Sequence, residues 1–197
     1  MIALIEDDEA VLRSLSMLLA KRGHQVKSYG SAEEFLEALA GNPPLCVVSD
    51  IRMPGMSGIE LHQRLSRSNP ALPVILITGH GDIAMAVDAI KQGAFDFVEK
   101  PFDDERLMAR IQAAIESGQR MRIEHEEKTN LSKRMSELSP RQVEVMDLVV
   151  EGLSNKEIAL KLQISPRTVE NYRAWVMEKM GANNLADLVR KVMVLKG

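Results

Sequence analysis

Five short strand-like runs, each followed by a helical pattern, restrict the first 117 residues to one kind of fold. The runs are Ile2–Ile5, Gln25–Tyr29, Leu45–Ser49, Val74–Thr78 and Phe95–Val98, and helical periodicity follows near 9–21, 32–40, 58–67, 82–92 and 103–117. Continuous apolar runs of this length are strands covered on both faces, as parallel sheets require. Five βα units predict an α/β domain, a doubly wound five-stranded parallel sheet with helices on both faces. Local signals agree: Gly23 stands at a helix stop, Ser31 with Glu34 makes a capping box, and Asp82 and Asp103 can cap helices.

Open α/β sheets build their sites beyond the carboxyl ends of their strands. Those ends carry Glu6-Asp7-Asp8, then Asp50, then Thr78-Gly79-His80, then Glu99-Lys100-Pro101. Read alone, Asp50 is more readily a turn cap than a functional group. Read with the other ends, it joins a cluster of acids, a hydroxyl and a lysine. Carboxylates this close oppose one another's ionisation unless a cation intervenes. A hard divalent ion with oxygen ligands relieves that repulsion, and Mg²⁺ suits a site with two carboxylates. Lys100 can reach the same cluster as a flexible point charge. Neither a Walker lysine loop nor a Gly-rich nucleotide fingerprint occurs, so nucleotide binding has no support.

Glu6-Asp7, Asp50, Thr78 and Lys100, with Met53-Pro54-Gly55-Met56-Ser57-Gly58 behind the Asp, closely resemble the receiver domain of two-component response regulators over about residues 1–120. The resemblance implies that Asp50 accepts a phosphoryl group from a histidine kinase. It implies Mg²⁺ on Asp7, Asp50 and the main-chain carbonyl of Arg52, with Glu6 acting through water. Lys100 and Thr78 would hold phosphoryl oxygens, and Thr78 with Phe97 would form the switch. Arg52 and His80 would tune loss of the phosphate, and Lys100-Pro101 resembles the family's cis peptide. Three consecutive acids leave the metal pair open; family spacing favours Glu6 and Asp7, with Asp8 capping the first helix. For Phe97 a core place on the fifth strand is equally compatible, and for His80 an exposed loop position.

Charge divides the chain unevenly. Residues 1–117 hold 11 Lys and Arg against 17 Asp and Glu, whereas residues 137–197 hold 9 against 8, so nucleic-acid binding by the tail depends on where its charges sit. The single cysteine, Cys46, lies within a strand-like run, which excludes a disulfide framework and fits a reducing compartment. With neither a signal peptide nor a membrane-length apolar run, a cytoplasmic protein without membrane attachment is expected.

Residues 118–136 are polar and charged, with Met121, Ile123, Leu131 and Met135 too scattered for a coiled-coil seam. They are either a solvated extension of the fifth helix or a hinge, and are expected to form a linker, helical in its first half. Residues 137–197 read as four helices. Pro140 opens the first after Ser139, Ser154 with Glu157 boxes the second, Ser165-Pro166 opens the third, and Asn184 caps the fourth. The spacing about Gln163-Ile164-Ser165 is that of a helix-turn-helix. The stretches 138–142, 152–159 and 164–170 closely resemble the four-helix DNA-binding domain of the LuxR/NarL group, and the whole chain resembles its FixJ subgroup.

The resemblance puts helix 166–180 in the major groove of double-stranded DNA. Lys156, Arg167, Thr168 and Arg173 are expected on phosphates, and Glu170, Asn171 and Ala174 near base edges. A solvated helix face is the plain alternative for the cations. Tyr172 stands where the family often has His, so that contact is not carried over. Trp175 is expected in the core or at a domain contact rather than in base stacking, and Met146, Met177, Met180 and Met193 as core filler. The expected whole is a DNA-binding transcriptional regulator, not an enzyme, that dimerises on phosphorylation and works with RNA polymerase. A signalling adaptor whose tail no longer reads DNA is the rival, supported by the tail's near-neutral charge; a hydrolase has no pocket motif behind it.

Overall fold

A computed structural model of the chain describes residues 1–39, 43–79 and 83–196. They form two compact units, residues 1–122 and 123–197. In the first, strands and helices alternate in chain order. These are β1 (Ile2–Ile5), α1 (Glu9–Lys21), β2 (Val26–Tyr29), α2 (Ala32–Ala38), β3 (Cys46–Asp50), α3 (Gly58–Ser68), β4 (Val74–Thr78), α4 (Ile83–Lys91) and β5 (Asp96–Glu99). The five strands are parallel in the order β2-β1-β3-β4-β5. The chain thus reverses its direction of winding between β1 and β3, the place where doubly wound sheets open a crevice.

Alternation of side chains along each strand feeds two separate cores. Ala3, Ile5, Val47, Val74 and Leu76 pack with Phe35, Leu61, Leu65 and Ala86 from α2, α3 and α4. Ile2, Leu4, Val48, Ile75, Ile77 and Val98 pack on the other face with Leu15 and Leu19 of α1 and with Leu107 and Ile111. The last two belong to α5 (Asp104–Ser136), a 33-residue helix. The expected linker 118–136 lies within this one helix, helical throughout rather than in its first half alone. Pro is absent from it and its one glycine, Gly118, packs against Pro73, so nothing in the sequence breaks it.

Helix ends follow local chemistry, with one correction. Asp8 Oδ1 accepts from the Ala10 and Val11 amides, and Asp103 Oδ1 from Glu105. Ser31 does accept from Glu34 N, but the Glu34 carboxylate turns to the Gly30 amide, so only half of the expected capping box forms. Asp82 lies outside the described residues. Full boxes stand at Ser57–Glu60, Ser139–Gln142 and Ser154–Glu157.

The second unit holds α6 (Pro140–Val150), α7 (Asn155–Leu162), α8 (Pro166–Met180) and α9 (Leu185–Lys196). Its core is Leu138, Val145, Met146, Leu148, Ile158, Val169, Val176, Met180, Leu188 and Val192. Between α7 and α8 the chain turns at Gln163, a left-handed residue (φ 57°) that lets the Ile164 amide return to Ala159. Met146 and Met180 fill the core as expected, but Met193 is 61% exposed. No described helix is long and apolar enough to cross a membrane.

Candidate functional site

Strand register assembles the first site. β3 ends on Asp50 beside Ile77 of β4, and the Lys100 amide, just past β5, bonds the Thr78 carbonyl at 2.7 Å. Glu6 follows β1, whose partner is β3. Three side chains from distant parts of the sequence therefore meet. The Lys100 ammonium lies 2.6 Å from Asp50 Oδ1 and 2.8 Å from Glu6 Oε2. Glu6 and Asp50 are buried, at 3% and 7% exposure. The Lys100–Pro101 peptide is cis.

Burial pushes the Glu6 carboxyl above its ordinary value, with the charge of Asp50 adding to the rise and Lys100 only partly offsetting it. Burial would lower the Lys100 ammonium, but its bonds to Asp50 and Glu6 prevail and hold it above its usual range. The second Asp50 oxygen, Oδ2, accepts from the Arg52 amide at 2.7 Å. Helix α3 presses on this strand end: a Cβ at Gly58 would stand 2.1 Å from the Asp50 carbonyl oxygen. Only a glycine fits there.

Other expected residues take different positions. Asp7 is exposed at the rim, while Asp8 is spent as the α1 cap. Thr78 is fully buried and its hydroxyl donates to the Gly79 carbonyl at 3.1 Å, not to Asp50. Phe97 is half-buried against the core that contains Leu76, its partner in register. His80 lies outside the described residues. Sequence reading missed Glu33, which reaches 23 residues along the chain to accept from the Met56 amide at 2.8 Å and so pins the loop after Asp50. Nothing local announces such a bond. The box at Ser57–Glu60, in contrast, was readable from its spacing.

In the second unit α7, the turn and α8 make a helix-turn-helix. Arg167, Glu170, Asn171 and Ala174 are exposed on α8, opposite the buried Val169, Val176 and Met180, and Lys156 is exposed on α7. Arg167 and Glu170 pair at 3.0 Å. Thr168 and Arg173 are half-buried with structural partners: Thr168 Oγ1 lies 2.8 Å from Ser165 Oγ, and Arg173 donates to Asn155 Oδ1 at 3.0 Å across the two helices. Trp175 is 49% exposed and outside the unit's core, so the expectation of a core place fails.

A parallel sheet with a buried, lysine-held aspartate at its carboxyl edge, carried with a helix-turn-helix unit, defines a signal-controlled DNA-binding regulator. Family comparison agrees for both units: residues 2–112 match the response regulator receiver domain, and residues 136–192 match the bacterial regulatory proteins of the luxR family. The transcriptional regulatory protein FixJ of Bradyrhizobium diazoefficiens is 47% identical over 192 residues, covering 98% of this chain and 94% of that one. The response regulator protein TodT of Pseudomonas putida is 40% identical, covering 99% and 86%. Among solved structures, the response regulator StyR superposes with a TM-score of 0.84 at 36% identity, covering 98% of this chain and 97% of that one. Full-length FixJ from B. japonicum gives 0.61 at 46%, covering 99% and 96%. The chain belongs to the two-component response regulators, with a receiver and a LuxR-type output domain, and is a FixJ-like DNA-binding transcriptional regulator.

Proposed function

We propose that Asp50 is the phosphoacceptor and that its phosphorylation by a partner histidine kinase controls dimerisation and DNA binding. The observation that carries this reading is the Lys100 ammonium shared between two buried carboxylates at the sheet edge. An Asp50 oxygen attacks phosphorus, the P–N bond of the kinase phosphohistidine breaks, and an acyl phosphate forms. Transfer of this kind needs a positioned nucleophile and cations against the equatorial oxygens. Arg52 N–H fixes one Asp50 oxygen and Lys100 supplies positive charge beside the other.

The donor set also fits Mg²⁺. Among the described residues Glu6 and Asp50 offer carboxylate oxygens that outnumber the one ammonium placed between them, although no described group of three or more His, Cys, Asp or Glu comes together to hold a metal. Asp7, Asp50 and the Arg52 carbonyl would hold the ion, with Glu6 acting through water, and the ion would neutralise phosphoryl charge. Thr78 would exchange the Gly79 carbonyl for a phosphoryl oxygen, and Phe97 would pack further inward. The new group adds about −1.5 to −2 charges, which biases the 82–101 surface toward a dimer that presents two α8 helices to adjacent half-sites. On DNA, Lys156, Arg167, Thr168 and Arg173 serve phosphates, Glu170, Asn171 and Ala174 approach bases, and RNA polymerase is the further partner. Slow autodephosphorylation resets the switch, tuned by Arg52 and His80.

The test compares the parent with D50N, each treated with Mg²⁺ and acetyl phosphate. Parent mass in solution should double and its affinity for promoter fragments rise, with log affinity falling linearly against log salt; D50N should do neither. If D50N responds in step with the parent, Asp50 is not the switch. Absence of DNA binding at low salt would favour the adaptor reading.

A further inference from the structure

Trp175 is the only tryptophan in the chain and stands about half exposed on α8, outside the core of its unit. It does not swing freely. Its ring meets that of Tyr172 edge-on, with centroids 5.6 Å apart and planes at 76°, and Tyr172 is itself packed on the core. An edge-to-face pair of this geometry favours one ring orientation. The pair thus favours one orientation of an indole that stays about half exposed.

Its place on the helix matters more than its exposure. At 3.6 residues per turn, Trp175 lies about 40° around the axis from Asn171, on the flank of the outward face, one turn further along. On the side of Trp175 away from Asn171 the polar groups are engaged, whereas toward Asn171 the exposed Glu178 leaves a carboxylate about 60° around the axis from the indole. Thr168, two turns back, spends its hydroxyl with Ser165, and Lys179, one turn on, donates to the Glu137 carbonyl at 2.7 Å and to Gln142 Oε1 at 3.0 Å. The indole is thus an exposed apolar surface one turn from Asn171, with the exposed Glu178 one turn further along. In the major groove the apolar feature that base pairs present is the thymine C5-methyl group.

Resting on the reading of α8 as the DNA-reading helix, we propose that Trp175 is a specificity-determining residue whose indole packs on a thymine methyl beside the bases reached by Asn171. Double-stranded DNA is the occupant of this patch, rather than a second copy of the chain, because Trp175 lies one turn from Asn171 on the helix read as entering the groove.

The test uses the full chain, treated with Mg²⁺ and acetyl phosphate, and a duplex selected by it from a randomised pool. Affinity is measured by anisotropy of the labelled duplex, then again with each thymine in turn replaced by deoxyuridine, for the parent, W175A and W175F. Loss of one buried methyl should weaken the parent about fourfold at one or two positions, while W175A should be insensitive there. W175F, which keeps an aromatic plate, should retain part of the sensitivity and guards against a folding defect in W175A. Emission of the single tryptophan should change on binding. Equal deoxyuridine sensitivity in parent and W175A overturns the assignment, as does a W175A that binds more weakly with no thymine dependence in the parent. A W175A that loses dimerisation while keeping the parent's thymine dependence assigns the patch to a second copy and also overturns it. If the parent selects no duplex, the DNA-reading function of α8 fails first; if it selects one and W175A behaves as the parent, only the role of Trp175 fails.

Discussion

Replacing Lys100 by methionine removes the ammonium that lies 2.6 Å from Asp50 and 2.8 Å from Glu6 and keeps much of the side-chain volume. Removing one partner of a buried ion pair costs about 3–5 kcal/mol, because a desolvated charge is left behind. The carboxylates are buried, but the Lys100 side chain is 32% exposed, so solvent already screens part of the interaction. A loss of about 2–3 kcal/mol is expected, or roughly 8–12 °C in the transition of the first unit. The sign with pH is fixed by Glu6. Its folded carboxyl is held above its ordinary value by burial, and without Lys100 it rises further. Such a group penalises the fold at high pH and relieves it as pH falls through the raised value toward 4.5. The loss in K100M should accordingly be greatest near pH 8 and shrink toward pH 5. In the parent, the raised Lys100 contributes fully below about 10.5, so it stays charged over that window. Calorimetry of the full chain reads the first unit, while Trp175 fluorescence follows the second and serves as an internal control. A loss below about 1 kcal/mol at pH 8, or one equal at pH 5 and pH 8, would refute the shared-ammonium account.

Three further outcomes are expected. Gly58→Ala must move α3 or the end of β3, since its Cβ would meet the Asp50 carbonyl oxygen at 2.1 Å; acetyl phosphate labelling should slow at least tenfold, about 1.4 kcal/mol in the barrier, and a parental rate refutes the close approach. His62 is buried, with Nε2 3.3 Å from the Gln92 carbonyl oxygen and no hydrogen-bond partner at Nδ1 among the described residues, and burial holds it below its usual value. Its stabilising effect should be complete above about 6.5 and diminish as pH falls toward the depressed folded value, a trend that His62→Leu should abolish in pH-dependent urea unfolding. Ser154→Ala removes the side-chain acceptor of the α7 box and should cost about 1 kcal/mol in the second unit, read by Trp175 fluorescence.

Much of this molecule was legible because its cues are local. The βα alternation follows from runs such as Leu45–Ser49, and the helix starts at Asp8, Ser154 and Ser165 follow from residues whose side chains bond amides two or three positions away. The strand-end acids, Thr78 and Lys100 could be grouped before any coordinates, since a parallel sheet places the carboxyl ends of its strands along one edge. Less legible were features without a periodic or local sign. For residues 118–136 composition is compatible with a solvated extension of the fifth helix and with a hinge alike, and only the structure shows the helix continuing to Ser136. A core place for Trp175 fails because size and apolarity favour burial only on average, whereas its helical position puts it on the outward side beside Asn171.

By itself, then, the sequence determined the order of elements and the helix starts at Asp8, Ser154 and Ser165, consequences of chemistry between near neighbours in the chain, and parallel-sheet topology grouped the residues at the sheet edge. Tertiary structure alone decided which of those edge residues touch. It buried Glu6 and left Asp7 exposed, gave Lys100 to Glu6 and Asp50 together, turned the Thr78 hydroxyl to Gly79, and brought Glu33 to the loop behind Asp50. These choices depend on strand register and on helices packing over the sheet, so groups up to 94 residues apart meet at hydrogen-bond distance, where electrostatic energy changes steeply with position.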